Sequence, residues 1–192
     1  MPLLTPASVR AVLTEHDLRP SRALGQHFLA DPNTARRIVR LAGVEAEDRV
    51  LEIGPGIGSL TLALAEAGAR VVALEVDRHL LPVLESVVGD RATIVAGDAT
   101  TIDLPTLLDD ACRASDISRS GTHHQKGPTW QCVSNLPYNV ATPVVVRLLE
   151  TAPMVEDLLV MIQREVGERL AATPGVATLY GRFDTHCQVG PF

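Results

Sequence analysis

Four short stretches carry residues whose types and spacing could do chemistry. The first is Glu52-Ile53-Gly54-Pro55-Gly56-Ile57-Gly58, with three glycines at every second position and an acid two residues before the first. Such glycines let backbone approach a ligand closely. The dinucleotide fingerprint places its third glycine one residue later, so this turn is of a different kind. Read alone, it is either a ligand-binding turn or a tight strand-to-helix connection. Glu52 either reaches the amino end of a ligand or salts the end of a strand. The second is Glu75, 21 residues after Gly54 and at the close of an apolar run. Nucleotide-binding α/β folds hydrogen-bond a ribose diol from an acid at about this position. The third is Asp98, after the run Thr93-Ile94-Val95-Ala96-Gly97, where it could accept a hydrogen bond from an adenine amino group. The fourth is Asn135-Leu136-Pro137-Tyr138, a rigid turn presenting an amide, carbonyls and an aromatic ring together. Amide and carbonyl oxygens can hold an exocyclic amine, and a ring can stack on a base.

The elements that must position these residues are legible in order. Thr5-Pro6 starts a helix running to about Asp17, with Thr as cap and Pro in the first turn. Residues 18–29 form a connector in which Gln26 and His27 are either plain loop residues or hydrogen bonders folded over a ligand; composition alone favours the loop. Asp31-Pro32 starts a second helix, to about Ala42. Residues 49–52 make a strand, Ser59 to Ala67 a helix closed by Gly68, and Arg70 to Asp77 a buried parallel strand. His79 to Val88 is a helix despite Pro82, Thr93 to Ala96 a strand, and Asp103 to Ala114 a weaker helix. Residues 115–129 are polar and aperiodic, and predict a flexible loop whose His123-His124 pair is solvated rather than metal-bound. Trp130 to Ser134 is a fourth strand, Thr142 to Ala152 a helix opened by Thr142-Pro143, and Leu158 to Ile162 a fifth strand. Glu165 to Ala172 is a last helix, and a further turn and strand begin near Leu179-Tyr180-Gly181. Glu75, Asp98 and Asn135 thus share with the glycine turn the C-terminal edge of a parallel sheet, where open α/β folds bind ligands.

Composition bounds the rest. The 192 residues suit one domain, and 46% are hydrophobic, enough for a core built mainly of Val, Leu, Ala and Ile because only 3% are aromatic. No apolar run reaches the length of a bilayer span, and no signal peptide is evident. Cys112, Cys132 and Cys187 include no C-x-x-C pair, which argues against a disulfide scaffold or zinc site and fits a reducing cytoplasm. The net charge of −6 does not by itself suggest a nucleic-acid binder, although residues 1–40 carry six arginines against three acids.

Taken together, Leu24-Gly25-Gln26-His27-Phe28-Leu29, Glu52 to Gly58, Glu75-Val76-Asp77, Gly97-Asp98-Ala99, Asn135-Leu136-Pro137-Tyr138-Asn139 and Gln163-Arg164-Glu165-Val166 resemble the ribosomal RNA small-subunit adenine N6,N6-dimethyltransferase family. They occur in that family's order over roughly residues 5–182. The combination of Gln-His-Phe-Leu with Asn-Leu-Pro-Tyr is more specific than the glycine turn, which generic methyltransferases share.

The resemblance implies a class I S-adenosylmethionine-dependent methyltransferase fold: a Rossmann-like α/β sheet with helices on both faces, here left incomplete at its C-terminal end. It divides the chain into N-terminal helices and a cofactor-covering loop (1–48), a catalytic domain (49–182) and an unassigned tail (183–192). It implies that Gln26, His27 and Leu29 lie along S-adenosylmethionine, that Glu52, Gly54, Gly56 and Gly58 pass beside its methionine part, that Glu75 takes the ribose and Asp98 the adenine, and that Asn135 borders the cofactor as well. It implies that Asn135 and the backbone at Leu136 and Pro137 hold the N6 amine of a target adenine while Tyr138 stacks on the flipped base. The implied partner is small-subunit ribosomal RNA in the 30S precursor, with two adjacent adenines in a hairpin loop near the 3′ end receiving two methyl groups each. A monomeric cytoplasmic protein without metal or membrane attachment is expected. Family members are longer, adding two strands and a helical domain, and residues 183–189 do not continue the family's pattern. Competing readings are an impaired cofactor- or ribosome-binding protein and a large-subunit methylase of the antibiotic-resistance type. A nicotinamide dehydrogenase is disfavoured by the early third glycine.

Overall fold

A computed structural model describes residues 2–18, 28–116, 129–137 and 139–170. The element order is α1 (Pro6–Glu15), α2 (Pro32–Leu41), β1 (Arg49–Ile53), α3 (Ser59–Glu66), β2 (Arg70–Glu75), α4 (Leu81–Val88), β3 (Ala92–Ala96), α5 (Leu104–Asp116), β4 (Trp130–Asn135), α6 (Ala141–Thr151), β5 (Val155–Met161) and α7 (Arg164–Leu170). The five strands form one parallel sheet in the order β3-β2-β1-β4-β5. The chain therefore moves outward from β1 through β2 to β3, then returns to the other side of β1 with β4. That reversal opens a crevice at the C-terminal ends of β1 and β4.

Local sequence accounts for the element starts. Thr5 caps α1 in a reciprocal box with Ser8, and Asp31 caps α2 through the Asn33 and Thr34 amides. Both helices place Pro in the first turn, where its missing N–H is no loss. β1 and β2 are buried along nearly their whole length, as strands covered on both faces must be. One apolar layer joins α1 to α4 to one face, through Ile38, Val50, Leu64 and Leu84. A second joins α5 and α6 to the other, through Leu51, Leu74, Leu108 and Leu148. Arg36 forms a forked ion pair with Glu66 between α2 and α3. Both side chains are half exposed, so the pair adds little stability.

Several element boundaries differ from the sequence expectation, among them three element starts. Helix α4 starts at Leu81, not His79, because Asp77 takes the His79 and Leu80 amides into a turn. Pro82 consequently sits in the first turn rather than interrupting the helix. Helix α6 starts at Ala141 with Val140 at the cap position and no side-chain cap bond, so Thr142 does not open it. Strand β5 starts at Val155, three residues before Leu158, and ends at Met161. Its first residues include exposed Glu156 and Asp157 beside a register shift at Trp130/Gln131, which hides the strand from an apolar pattern. Helix α5 runs on to Asp116, so Ser115 and Asp116 are helical rather than part of the expected 115–129 loop; residues 117–128 of that loop, the end of the last helix, the strand near Leu179 and the tail at 183–192 lie outside the described residues.

Candidate active site

The glycine turn leaves β1 directly above the crevice. Gly54 has φ +69, a conformation L side chains rarely adopt, and a Cβ there would stand 3.2 Å from the Pro137 ring. Gly56 is covered by the Phe28 ring, which a Cβ would meet at 3.0 Å. These contacts leave bare backbone facing a cleft of about 210 Å³. Leu29, Glu52, Gly54, Gly56, Glu75, Asp98, Asn135, Leu136 and Pro137 all line it, so these sequence candidates converge on one place. Gly58 is not among the lining residues. It caps α3 at φ +88, where a Cβ would lie 2.6 Å from Val88 and 3.0 Å from Leu84, so it lets α3 and α4 pack. Gln26, His27 and Tyr138 lie outside the described residues.

Each acid is held differently. Glu75 is buried at the end of β2, its Oε2 accepting the Gly56 amide at 3.0 Å and its Oε1 the Asp77 amide at 2.8 Å. Burial raises its pKa, and the two amides offset part of that. The amides fix the carboxylate plane and leave each oxygen acceptor capacity toward the cleft, a geometry suited to two neighbouring hydroxyls. Asp98 is exposed, and its Oδ1 accepts from the Thr100 hydroxyl and amide, which hold its pKa below the usual carboxylate value. Its Oδ2 takes part in neither of these bonds.

Glu52 differs from both. It is 1% exposed, and burial pushes its pKa up to about 8. Thr61 offsets part of this and the nearby Glu75 adds to it. Thr61 Oγ1 nevertheless makes no bond of good geometry, and Glu52 Oε2 has no partner. Glu52 contributes to the cleft wall, and a cationic group bound beside it would favour its ionised form.

The turn after β4 closes the opposite wall. The Leu136 amide donates to the Met161 carbonyl on β5, and the Val140 amide donates to the Pro137 carbonyl. The turn is thereby fixed at both ends, with Asn135 at the end of β4. Sequence reasoning missed Val76 as a site residue. It lines the cleft while 53% exposed, an apolar surface onto which a flat base can lie. The sequence expectation ran this strand to Asp77, but β2 ends at Glu75; the position of Val76 directly after Glu75 was the available clue. Phe28, part of the Leu24 to Leu29 stretch but given no role of its own by the sequence, covers the glycine turn. Among the described residues, no cluster of His, Cys, Asp and Glu could hold a metal, and no helix is long and apolar enough to cross a membrane.

Known proteins share this arrangement. The family model for ribosomal RNA adenine dimethylase matches residues 18–183. The ribosomal RNA small subunit methyltransferase A of Corynebacterium jeikeium is 46% identical over 181 residues, covering 93% of this chain and 54% of that protein. The corresponding protein of Nocardia farcinica is 48% identical over 181 residues, covering 93% and 57%. The chain thus spans about half the length of the curated relatives it matches. Among solved structures, the 23S rRNA methyltransferase ErmE superposes with a TM-score of 0.57 at 25% identity, covering 74% of this chain and 50% of that one. A dimethyladenosine transferase from Plasmodium falciparum shares the fold with a TM-score of 0.54, covering 77% and 47%. The parallel sheet is that of the class I S-adenosylmethionine-dependent methyltransferases, and with a family match over most of its length this chain belongs to the ribosomal RNA adenine dimethylase family.

Proposed function

We propose that the chain carries the catalytic half of an S-adenosylmethionine-dependent enzyme that dimethylates N6 of two adjacent adenines near the 3′ end of small-subunit ribosomal RNA. The observation that carries this is the meeting of two walls in one cleft: the glycine turn with Glu52, Glu75 and Asp98 on one side, the Asn135-Leu136-Pro137 turn on the other. When bound, S-adenosylmethionine supplies a methyl group already activated on a sulfonium. The chain's residues then have to bind and to position. The unpartnered Glu52 oxygen suits the cofactor's ammonium, the fixed Glu75 carboxylate suits its ribose hydroxyls, and Asp98 with Val76 suits its adenine.

An aromatic amine is a poor nucleophile because its lone pair is delocalised into the ring. Acceptors at Asn135 and the following carbonyls favour a more tetrahedral nitrogen and hold it in line, so positioning replaces a strong base. The base must be unstacked to reach the cleft, which a hairpin loop makes less costly. Tyr138 is the stacking partner in this reading, with Gln26 and His27 beside the cofactor. The protein acts as a monomer in the cytoplasm, where its precursor-ribosome partner is assembled.

The test is transfer of labelled methyl from S-adenosylmethionine to undermethylated small ribosomal subunits by this 192-residue chain. Dimethyladenosine in the small-subunit RNA is expected. Label only in large-subunit RNA would support the ErmE-like target instead. Cofactor binding without transfer to either would reject enzymatic activity for this chain and leave a binding protein.

A further inference from the structure

The backbone ladder between β1 and β4 is short. Its pairs are Val50 with Gln131 and Leu51 with Cys132, and it extends no further toward the cleft. By contrast β1 stays paired with β2 through Ile53 and Leu74, and β4 with β5 through Asn135 and Met161. The gap falls at the strand-order reversal, directly beneath the two cleft walls. A polar side-chain contact bridges it: the Ile53 amide donates to Ser134 Oγ at 2.9 Å. Ser134 is 0% exposed, and its oxygen also lies 3.4 Å from Cys132 Sγ. Above this bond, the Pro137 ring packs against Gly54.

We infer that Ser134 is a positioning residue: its hydroxyl latches the residue preceding the glycine turn to the residue preceding Asn135, and so sets the distance between cofactor wall and amine turn. Its sequence neighbours show why side-chain chemistry is needed. Ile53 is followed by Gly54, whose amide turns the other way to the Leu74 carbonyl, and Ser134 is followed by Asn135, which belongs to the amine turn. The bond joins residues 81 apart in sequence, so it couples two motifs that local structure alone leaves independent. Methyl transfer depends steeply on this separation, because a misplacement of about 1 Å costs roughly a hundredfold in rate.

This inference rests on the proposed methyltransferase activity, so its test has two arms. In the first, amide exchange of the full chain is followed for Ser134→Ala, Ser134→Thr and Val133→Ala. Val133 is equally buried but faces the opposite layer, and so controls for general loss of packing. Ser134→Ala is expected to speed exchange of the Ile53 amide by about tenfold or more relative to Leu51, while Ser134→Thr, which keeps the oxygen, holds it near wild type. In the second arm, Ser134→Ala lowers kcat by about tenfold to a hundredfold with cofactor Kd changed by less than about twofold, and Ser134→Thr restores kcat. Ser134→Cys, a weaker acceptor of similar volume, replaces the alanine variant if that one does not fold. An Ile53 amide that stays protected without the hydroxyl would overturn the latch, as would an unchanged kcat or an equal kcat loss in Val133→Ala. Absence of transfer by the wild-type chain would instead reject the proposed function, and the exchange arm would still decide the latch.

Discussion

Glu52 and Glu75 are both acids at strand ends, yet their surroundings assign them different work. Glu75 is tied by two amides, so its charge is solvated by the protein and its orientation is set. Replacing it with Ala removes the clasp on Gly56 and, in the proposed reading, the acceptor for the ribose hydroxyls. Loss of charge-assisted hydrogen bonds of about 1.5–3 kcal/mol should weaken S-adenosylhomocysteine binding by at least tenfold in calorimetry. If the amide holds the target amine as proposed, Asn135→Ala should leave that binding within about twofold while abolishing turnover. Unchanged methylation by Asn135→Ala would remove the amine clamp from the mechanism.

Glu52 makes stability depend on pH. Its pKa is raised from 4.5 in the unfolded chain to about 8 when folded. Between those values the folded state holds a proton that the unfolded state has released, so stability falls as pH rises through the window. The urea midpoint should therefore drop between about pH 5 and about pH 8, and Glu52→Gln should flatten the drop. A bound cation has the opposite effect, favouring the ionised carboxylate. Cofactor affinity should accordingly rise over the same range in the wild type and change little in Glu52→Gln.

At the scale of elements, the three glycines of the turn separate into two tasks. Gly54 and Gly56 keep the cleft wall bare, while Gly58 serves the helix above it. Gly58→Ala must place a Cβ 2.6 Å from Val88 in a left-handed conformation. It should cost about 1–3 kcal/mol in urea unfolding through strain and overpacking between α3 and α4. Because Gly58 does not line the cleft, cofactor affinity measured well below the unfolding temperature should survive, which separates its role from that of Gly54. The evenly spaced glycines read alike in sequence. Their difference depends on what lies opposite each one: Pro137, Phe28 or Val88.

At the scale of the whole molecule, cofactor and sheet form one linked system. The cleft is lined from β1, β2, β4, the turns that follow them and the turn after β3, so a ligand spanning it stabilises the fold by mass action. At a hundred times Kd the gain is about 2.7 kcal/mol. Trp130 is the single tryptophan and is 3% exposed in the second layer, so its fluorescence reports global unfolding. Saturating S-adenosylhomocysteine should raise the urea midpoint of the wild type and of Asn135→Ala. The shift should shrink in Glu75→Ala.

The sequence by itself determined the order of strands and helices, the helix caps at Thr5 and Asp31, and the chemical types at Glu52, Glu75, Asp98 and Asn135. Those follow from local rules: periodicity, capping and the conformational freedom of glycine act over a few residues. Tertiary structure alone decided that Glu52 is buried with an oxygen unpartnered, that Val76 and Phe28 belong to the cleft, and that Ser134 reaches Ile53. It also moved the start of β5 to Val155, because charged residues pair as a strand once β4 offers an edge. Burial and bonds across a strand-order reversal depend on residues far apart in the chain, and no short-range pattern records them.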